Sequence, residues 1–330
     1  MPTTATASSR QPLVAILGAA PIGAADLGGK AASLDRLARS GHPIPPGFCL
    51  TAAAFRAHLA AVEDPDGLAR AIAALPDEEA RSTIVRALDA TPTPRAVEDA
   101  IGAGLETLGR ELVRLAAGAA PSGSVPARPS FAVRSSALDE DGVTASFAGL
   151  HDTELGRGAD EVEAAIRRCW LSLWSPAAVS YRARRSLSFD GIAMAVVVQA
   201  LIPAEVSAVV FTRHPVTGRD DVLINAIRGL GEPLVSGAAT PETIVIERSG
   251  RTIVERTPGD HGRRLFVREG SPVEMADRTL EPVLTDRAAA DLAGIALEIE
   301  ADLGRPVDLE AARLGDRWIL LQARPITTGH

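Results

Sequence analysis

A chain of 330 residues, 46% hydrophobic and 23% charged, has the balance of a folded globular protein with room for about two domains at roughly 100 to 200 residues each. Asp and Glu number 42 against 34 Lys and Arg, and the formal net charge of −8 draws nothing toward polyanions, so nucleic acid is excluded as the expected partner. Two cysteines, Cys49 and Cys169, stand in no metal-ligand or C-x-x-C spacing; this excludes a disulfide framework and fits a reducing cytoplasm.

Residues 1–12 read as a flexible tail, and a strand follows at about 14–17. The apolar, small-residue run 13–25 leads straight into Leu27-Gly28-Gly29-Lys30, which marks it as a buried strand feeding a loop rather than an export signal. A helix starts near Lys30, with Leu34, Leu37 and Ala38 on one face, and stops at Gly41. Pro43, Pro45, Pro46 and Gly47 enforce an extended turn before a strand at 48–50. Thr51 is then placed to N-cap an alanine-rich helix through Val62. From 68 to 118 the pattern is helical, with breaks at Pro76 and at 91–94. The helix from Arg95 carries a stripe of Val97, Ile101, Leu105, Leu108 and Leu112.

Beyond a Pro/Ser/Gly connector at 121–129 the pattern changes to strands and loops. A strand at 130–134 is followed by a polar loop to Gly149, a strand at 151–155, and helices over 160–173 and 176–185. The apolar stretch 191–211 carries Gln199, Pro203, Glu205 and Ser207, with β-branched runs on either side of the proline. It reads as two strands and a hinge, not a membrane span. Further strands are expected at 222–226, 243–247, 251–256, 307–312 and 317–322, and a helix over 286–303. The sum is an α+β chain in two lobes, 13–200 and 201–330, hinged at 200–206.

Several enzyme classes drop out on motifs. Ala24 and Ala31 stand where a Walker A loop needs Gly and a hydroxyl, Gly229-Leu230-Gly231 lacks a third glycine for a dinucleotide turn, and neither Gly-x-Ser-x-Gly nor His-Glu-x-x-His occurs. Three polar clusters remain. Every basic residue but one is arginine, and the exception, Lys30, closes Leu27-Gly28-Gly29-Lys30. There, glycines and helix-terminal amides would favour a phosphate beside a compact ammonium; the alternative is an ordinary glycine turn. In Phe131-Ala132-Val133-Arg134-Ser135-Ser136, Arg134 ends a strand as a fork for phosphate, or pairs with Asp139, Glu140 or Asp141. Asp308 and Glu310 point to one side of a strand, as do Gln322 and Arg324 on the next. If the two strands pair through the Gly315-Asp316 turn, carboxylates, amide oxygen and guanidinium converge on one face. That set suits Mg²⁺ shared with a phosphate, or else an inter-strand ion-pair network.

Taken in order, these segments resemble the ATP-binding domain of the phosphoenolpyruvate synthase and pyruvate phosphate dikinase family, an ATP-grasp fold. The series also includes Ile44-Pro45-Pro46-Gly47-Phe48, Ala145-Ser146-Phe147-Ala148-Gly149, Phe211-Thr212, Gly229-Leu230-Gly231-Glu232 and Gln322-Ala323-Arg324-Pro325. Pro46-Gly47-Phe48-Cys49-Leu50-Thr51, His151-Asp152-Thr153 and Arg324-Pro325-Ile326-Thr327-Thr328 lean toward the rifampicin phosphotransferase branch. The resemblance implies two lobes with a nucleotide cleft between them. It implies that Lys30, Arg134 and Arg324 contact the phosphates of ATP under a loop containing Ser146 and Gly149. Adenine then lies between the lobes near residues 199–206, with Gln199 beside it and Glu205 toward the ribose, and Mg²⁺ is held by Glu310 and Gln322 with Asp308 beside them.

The chain departs from the family pattern at Ala208, Leu150 and Ala311, which stand where Gly, Gln and Trp are usual. It also carries no match to the family's swivelling phosphohistidine domain; His261 and His330 lie in other contexts and read as surface residues. The expectation is therefore a Mg-ATP-dependent phosphotransferase component, cytoplasmic and without membrane attachment. It would phosphorylate a histidine on a separate partner, with AMP and phosphate as products and a small molecule as final acceptor. The alternatives are a stand-alone kinase or ligase acting on a small molecule, giving ADP, and a nucleotide-binding module without turnover.

Overall fold

The computed structural model describes residues 11–19, 23–118, 129–138, 153–260, 262–277, 279 and 281–326. The first of its two large sheets has the strand order β1 (Val14–Ile16), β2 (Gly47–Leu50), β5 (Met194–Ala200), β3 (Phe131–Ala137), β4 (Thr153–Arg157), every pairing antiparallel. Strand alternation explains its two faces. Phe131, Val133, Met194, Val196 and Val198 join a core with helices α2 (Ala52–Leu59), α3 (Pro65–Ala73), α4 (Glu78–Ala90), α5 (Arg95–Gly118) and α6 (Val162–Ser172). On the opposite face Ala195 and Val197 pack with Leu27, Ala31 and Leu34 of α1 (Ala24–Arg39). The same parity puts Ala132, Arg134, Ser136 and Gln199 on the α1 side.

The second sheet runs β13 (Arg317–Pro325), β12 (Val307–Leu314), β6 (Val206–Phe211), β7 (Asp221–Arg228), β8 (Glu242–Glu247), β9 (Ile253–Thr257), again antiparallel throughout. Val206, Ala208, Val210, Val307, Leu309 and Ala311 pack with α9 (Asp286–Leu303), so Ser207, Asp308 and Glu310 turn to the other side. Residues 201–205 cross between the sheets, pinned by Leu201 N–H to Ser130 C=O and Glu205 N–H to Arg313 C=O, both at 2.9 Å. α1 also packs against β13 and so joins both sheets.

Most elements form where the pattern places them, and the local reasons are visible. Asp64, Asp77, Ser175 and Thr285 each accept a backbone N–H three residues on, capping α3, α4, α7 (Pro176–Arg184) and α9. Thr51 does not cap α2: its hydroxyl donates to Pro12 C=O at 2.7 Å, because residues 12–13 run beside it and Leu13 C=O already takes its N–H. The α2 helix ends at Leu59 rather than continuing to Val62. Two elements have no counterpart in the sequence reading, the short helix α8 (Glu232–Val235) and the hairpin β10 (Arg263–Arg268) with β11 (Ser271–Ala276).

Both cysteines are buried and form no disulfide, and burial pushes the Cys49 thiol far up, so Cys49 is not reactive. Among the described residues no helix is long and apolar enough to cross a membrane. In the first core Trp170 is 2% exposed and packs on Phe55, ring centroids 5.7 Å apart. Replacing it by alanine is expected to cost about 3–5 kcal/mol of stability, read as a lowered urea midpoint, since three helices cannot collapse onto the void.

Candidate functional site

A cavity of about 400 Å³ lies between the two sheets. Lys30, Arg134, Gln199, Glu310, Gln322 and Arg324 line its polar part, and Leu201, Ile202, Ala204, Leu230 and Leu234 its apolar part. Six polar residues separated by up to some three hundred positions in the chain thus share one space.

Lys30 reaches it through a break in α1. Gly28 has φ 70° and ψ 172°, interrupting the helix just before the lysine. The break is held by Ser136, whose Oγ donates to Leu27 C=O at 2.8 Å and accepts Ala31 N–H at 3.1 Å. Ser33, three residues beyond the lysine, exchanges hydrogen bonds with Ala323 on β13 through its hydroxyl. One helix start is therefore stitched to a strand of each sheet.

Arg134 points across the cavity. Its Nη1 donates to Leu321 C=O at 2.8 Å, and its Nη2 to Gln322 Oε1 at 3.0 Å and Glu310 Oε2 at 3.2 Å. The other partners considered for it, Asp139, Glu140 and Asp141, lie outside the described residues. β12 and β13 pair with Asp308 opposite Arg324 and Glu310 opposite Gln322; the turn at Gly315-Asp316 by itself would set Glu310 opposite Leu321, so it is the register shift between Glu310 and Ala311 that brings the four side chains to one face. Asp308 is 7% exposed and takes both Arg324 Nε, at 2.8 Å, and Nη2, at 2.7 Å, on Oδ2. Burial pushes its carboxyl above the ordinary range, with Arg324 pulling the other way.

The remaining expected residues fall differently. Gln199 is 2% exposed, with Nε2 unpartnered among the described residues, which leaves an amide available to a ligand in the cavity. Glu205 is exposed and outside the cavity lining; its backbone, not its side chain, is engaged, with its C=O accepting Gly229 N–H at 2.8 Å. Ser146 and Gly149, with Leu150, His261 and His330, lie outside the described residues. Leu201, Ile202 and Ala204 fall in the stretch expected beside adenine, whereas sequence reasoning missed the wall from Leu230 and α8, the Leu321 carbonyl, and the clamp at Ser136. The motif Gly229-Leu230-Gly231-Glu232 held the signal for that part of the wall.

No group of three or more His, Cys, Asp or Glu is arranged as a metal centre among the described residues. The donor set that does converge is of another kind: a carboxylate, an amide oxygen and a carbonyl, all already facing one cationic group. Hard oxygens of this type, too few for a closed cage, fit a divalent cation that shares its remaining positions with water and phosphate.

A two-lobed α+β fold whose interlobe cavity is apolar at one part and lined by cations, carboxylate and amides at the other defines a nucleotide-binding domain. Residues 24–330 match the pyruvate phosphate dikinase AMP/ATP-binding domain, and the chain belongs to that family. With membership shown, the ATP-grasp expectation for the fold stands. Among curated relatives, a rifampicin phosphotransferase from Streptomyces sp is 38% identical over 320 residues, covering 93% of this chain and 35% of its own. A probable phosphoenolpyruvate synthase from Archaeoglobus fulgidus is 34% identical, covering 92% and 40%. The prodigiosin synthesizing transferase PigC from Serratia marcescens is 34% identical, covering 92% and 32%. The chain thus spans about a third to two fifths of the length of these relatives.

Proposed function

We propose that this chain is the Mg-ATP-binding component of a dikinase-type phosphotransferase, which phosphorylates a histidine on a separate swivelling-domain partner. The observation that carries the reading is the convergence of Lys30, Arg134, Arg324, Glu310 and Gln322 on one cavity with an apolar end. Three relatives named for different reactions share this one segment, which supports a common ATP-handling role with the final acceptor chosen elsewhere.

In this reading the base lies against the apolar wall near Gln199, and the triphosphate runs toward Lys30. Lys30 holds phosphate as a point charge at the helix start. Arg324, oriented by Asp308, and Arg134 give planar forks to the phosphate oxygens. Glu310 and Gln322 would hold Mg²⁺, with Asp308 beside them; when bound, the metal neutralises phosphate charge that develops in transfer. The protein's part is positioning and charge compensation. Overall, ATP, histidine and water give AMP, phosphohistidine and inorganic phosphate. The small-molecule acceptor then takes the phosphoryl group from the histidine, in the cytoplasm.

Calorimetry of the full chain tests the first half: Mg-ATP is expected to bind, and Lys30→Ala to weaken that binding by about 10- to 100-fold with an unchanged thermal melt. Product analysis tests the second half. AMP formed only when a histidine-domain protein is added supports the reading. ADP with a small acceptor alone, or no product with any partner, overturns it.

A further inference from the structure

The oxygens assigned above to the divalent cation are already in use. Arg134 stands on β3 of the first sheet and its guanidinium rests on Glu310, Gln322 and the Leu321 carbonyl of the second. The pair is sheltered, with side chains 12% and 18% exposed for Arg134 and Glu310. A guanidinium and a metal ion held together on Glu310 Oε2 and Gln322 Oε1 repel as like charges in this sheltered site, so each weakens the other's hold on these oxygens.

We propose that Arg134 is the resident cation of this oxygen set in the nucleotide-free protein, a positioning residue that keeps the metal-binding oxygens in register across the lobes and yields them on ligand entry. The inference rests on the assignment of Glu310 and Gln322 as metal ligands. Its consequence is coupling. Metal alone displaces Arg134 into a sheltered site with no counter-charge, and nucleotide alone places phosphates against Glu310. Metal and nucleotide together exchange one set of pairs for another, with cation on oxygens and guanidinium on phosphate. Each ligand therefore binds weakly alone and strengthens the other by the same factor.

The decisive measurement is Mn²⁺ binding to the full chain, followed by the electron paramagnetic resonance signal of free Mn²⁺, first without nucleotide and then with ADP. Arg134→Met is expected to bind Mn²⁺ alone about tenfold more tightly than wild type, and to lose most of the strengthening that ADP brings. This is the reverse of what loss of a merely structural residue produces. Unchanged or weaker Mn²⁺ binding by Arg134→Met overturns the proposal, provided Glu310→Gln weakens Mn²⁺ binding in the presence of ADP. If Glu310→Gln leaves that binding intact, the metal assignment itself fails and this inference falls with it. Should Arg134→Met not melt cooperatively, Arg134→Gln, polar and without charge, is read in the same way.

Discussion

Gly28→Ala is expected to lower the unfolding free energy by about 2–5 kcal/mol and to weaken Mg-ATP binding by roughly 100-fold or more. Two effects add. The backbone at φ 70° and ψ 172° lies in a region that only glycine enters without strain of about 1–3 kcal/mol. A Cβ there would also stand 2.1 Å from the Ser136 carbonyl oxygen, and that strand cannot give way, since Ser136 is paired with Ala195 in the middle of the first sheet. Relief has to come from α1, the element that carries Lys30. Displacing the lysine by an ångström is enough to lose a positioned charge. Gly41→Ala is the control. Gly41 also has positive φ, 83°, yet nothing lies within 4 Å of an added Cβ, so the strain of about 1–2 kcal/mol comes without a change in binding. Urea melts and calorimetry on both variants check the pair; equal effects on binding would detach Lys30 from the site.

The parts legible in the sequence are those whose causes are local. Helix α9 begins at its Thr285 cap and ends before Gly304 at φ 67°, both written in residue type and apolar period. Strand alternation puts Asp308 with Glu310 and Gln322 with Arg324, but that the two pairs share a face depends on the register shift between Glu310 and Ala311, which the glycine turn does not foretell. What was not legible depends on partners far along the chain. Arg134 meets Leu321 across 187 residues, and no local pattern distinguishes that partner from an acid in the adjoining loop. Thr51 has the residue type of a cap, but a neighbouring segment offers its hydroxyl a carbonyl first. The hairpin β10–β11 hid because Arg263, Arg264, Arg268 and Glu274 interrupt its apolar alternation. Part of the apolar wall hid for another reason: Leu230 and Leu234 look like core, and only assembly of the two sheets turns them toward the cavity.

Glu310→Gln is expected to change the two forms of the nucleotide in opposite directions. The substitution keeps an oxygen that accepts Arg134's hydrogen bond at the position now 3.2 Å from Nη2 but removes its counter-charge, so the thermal melt should fall while the fold is kept. For Mg-ATP, loss of the one carboxylate among the facing oxygens is expected to cost about 10- to 100-fold in affinity. For ATP in excess chelator the sign reverses. A carboxylate facing phosphates at about 4 Å repels each unit charge by roughly 1 kcal/mol in water and by about 4 kcal/mol at an effective dielectric of 20. The side chain is 18% exposed, so a net gain of about 1 kcal/mol is the fair expectation, or roughly fivefold tighter binding of the metal-free nucleotide. The ratio of affinities with and without Mg²⁺ should then fall by about 50-fold or more, in two calorimetric titrations of one variant. If Glu310 serves only as an ion-pair partner of Arg134, the substitution instead lowers both affinities by a similar factor, and its assignment to the metal is wrong.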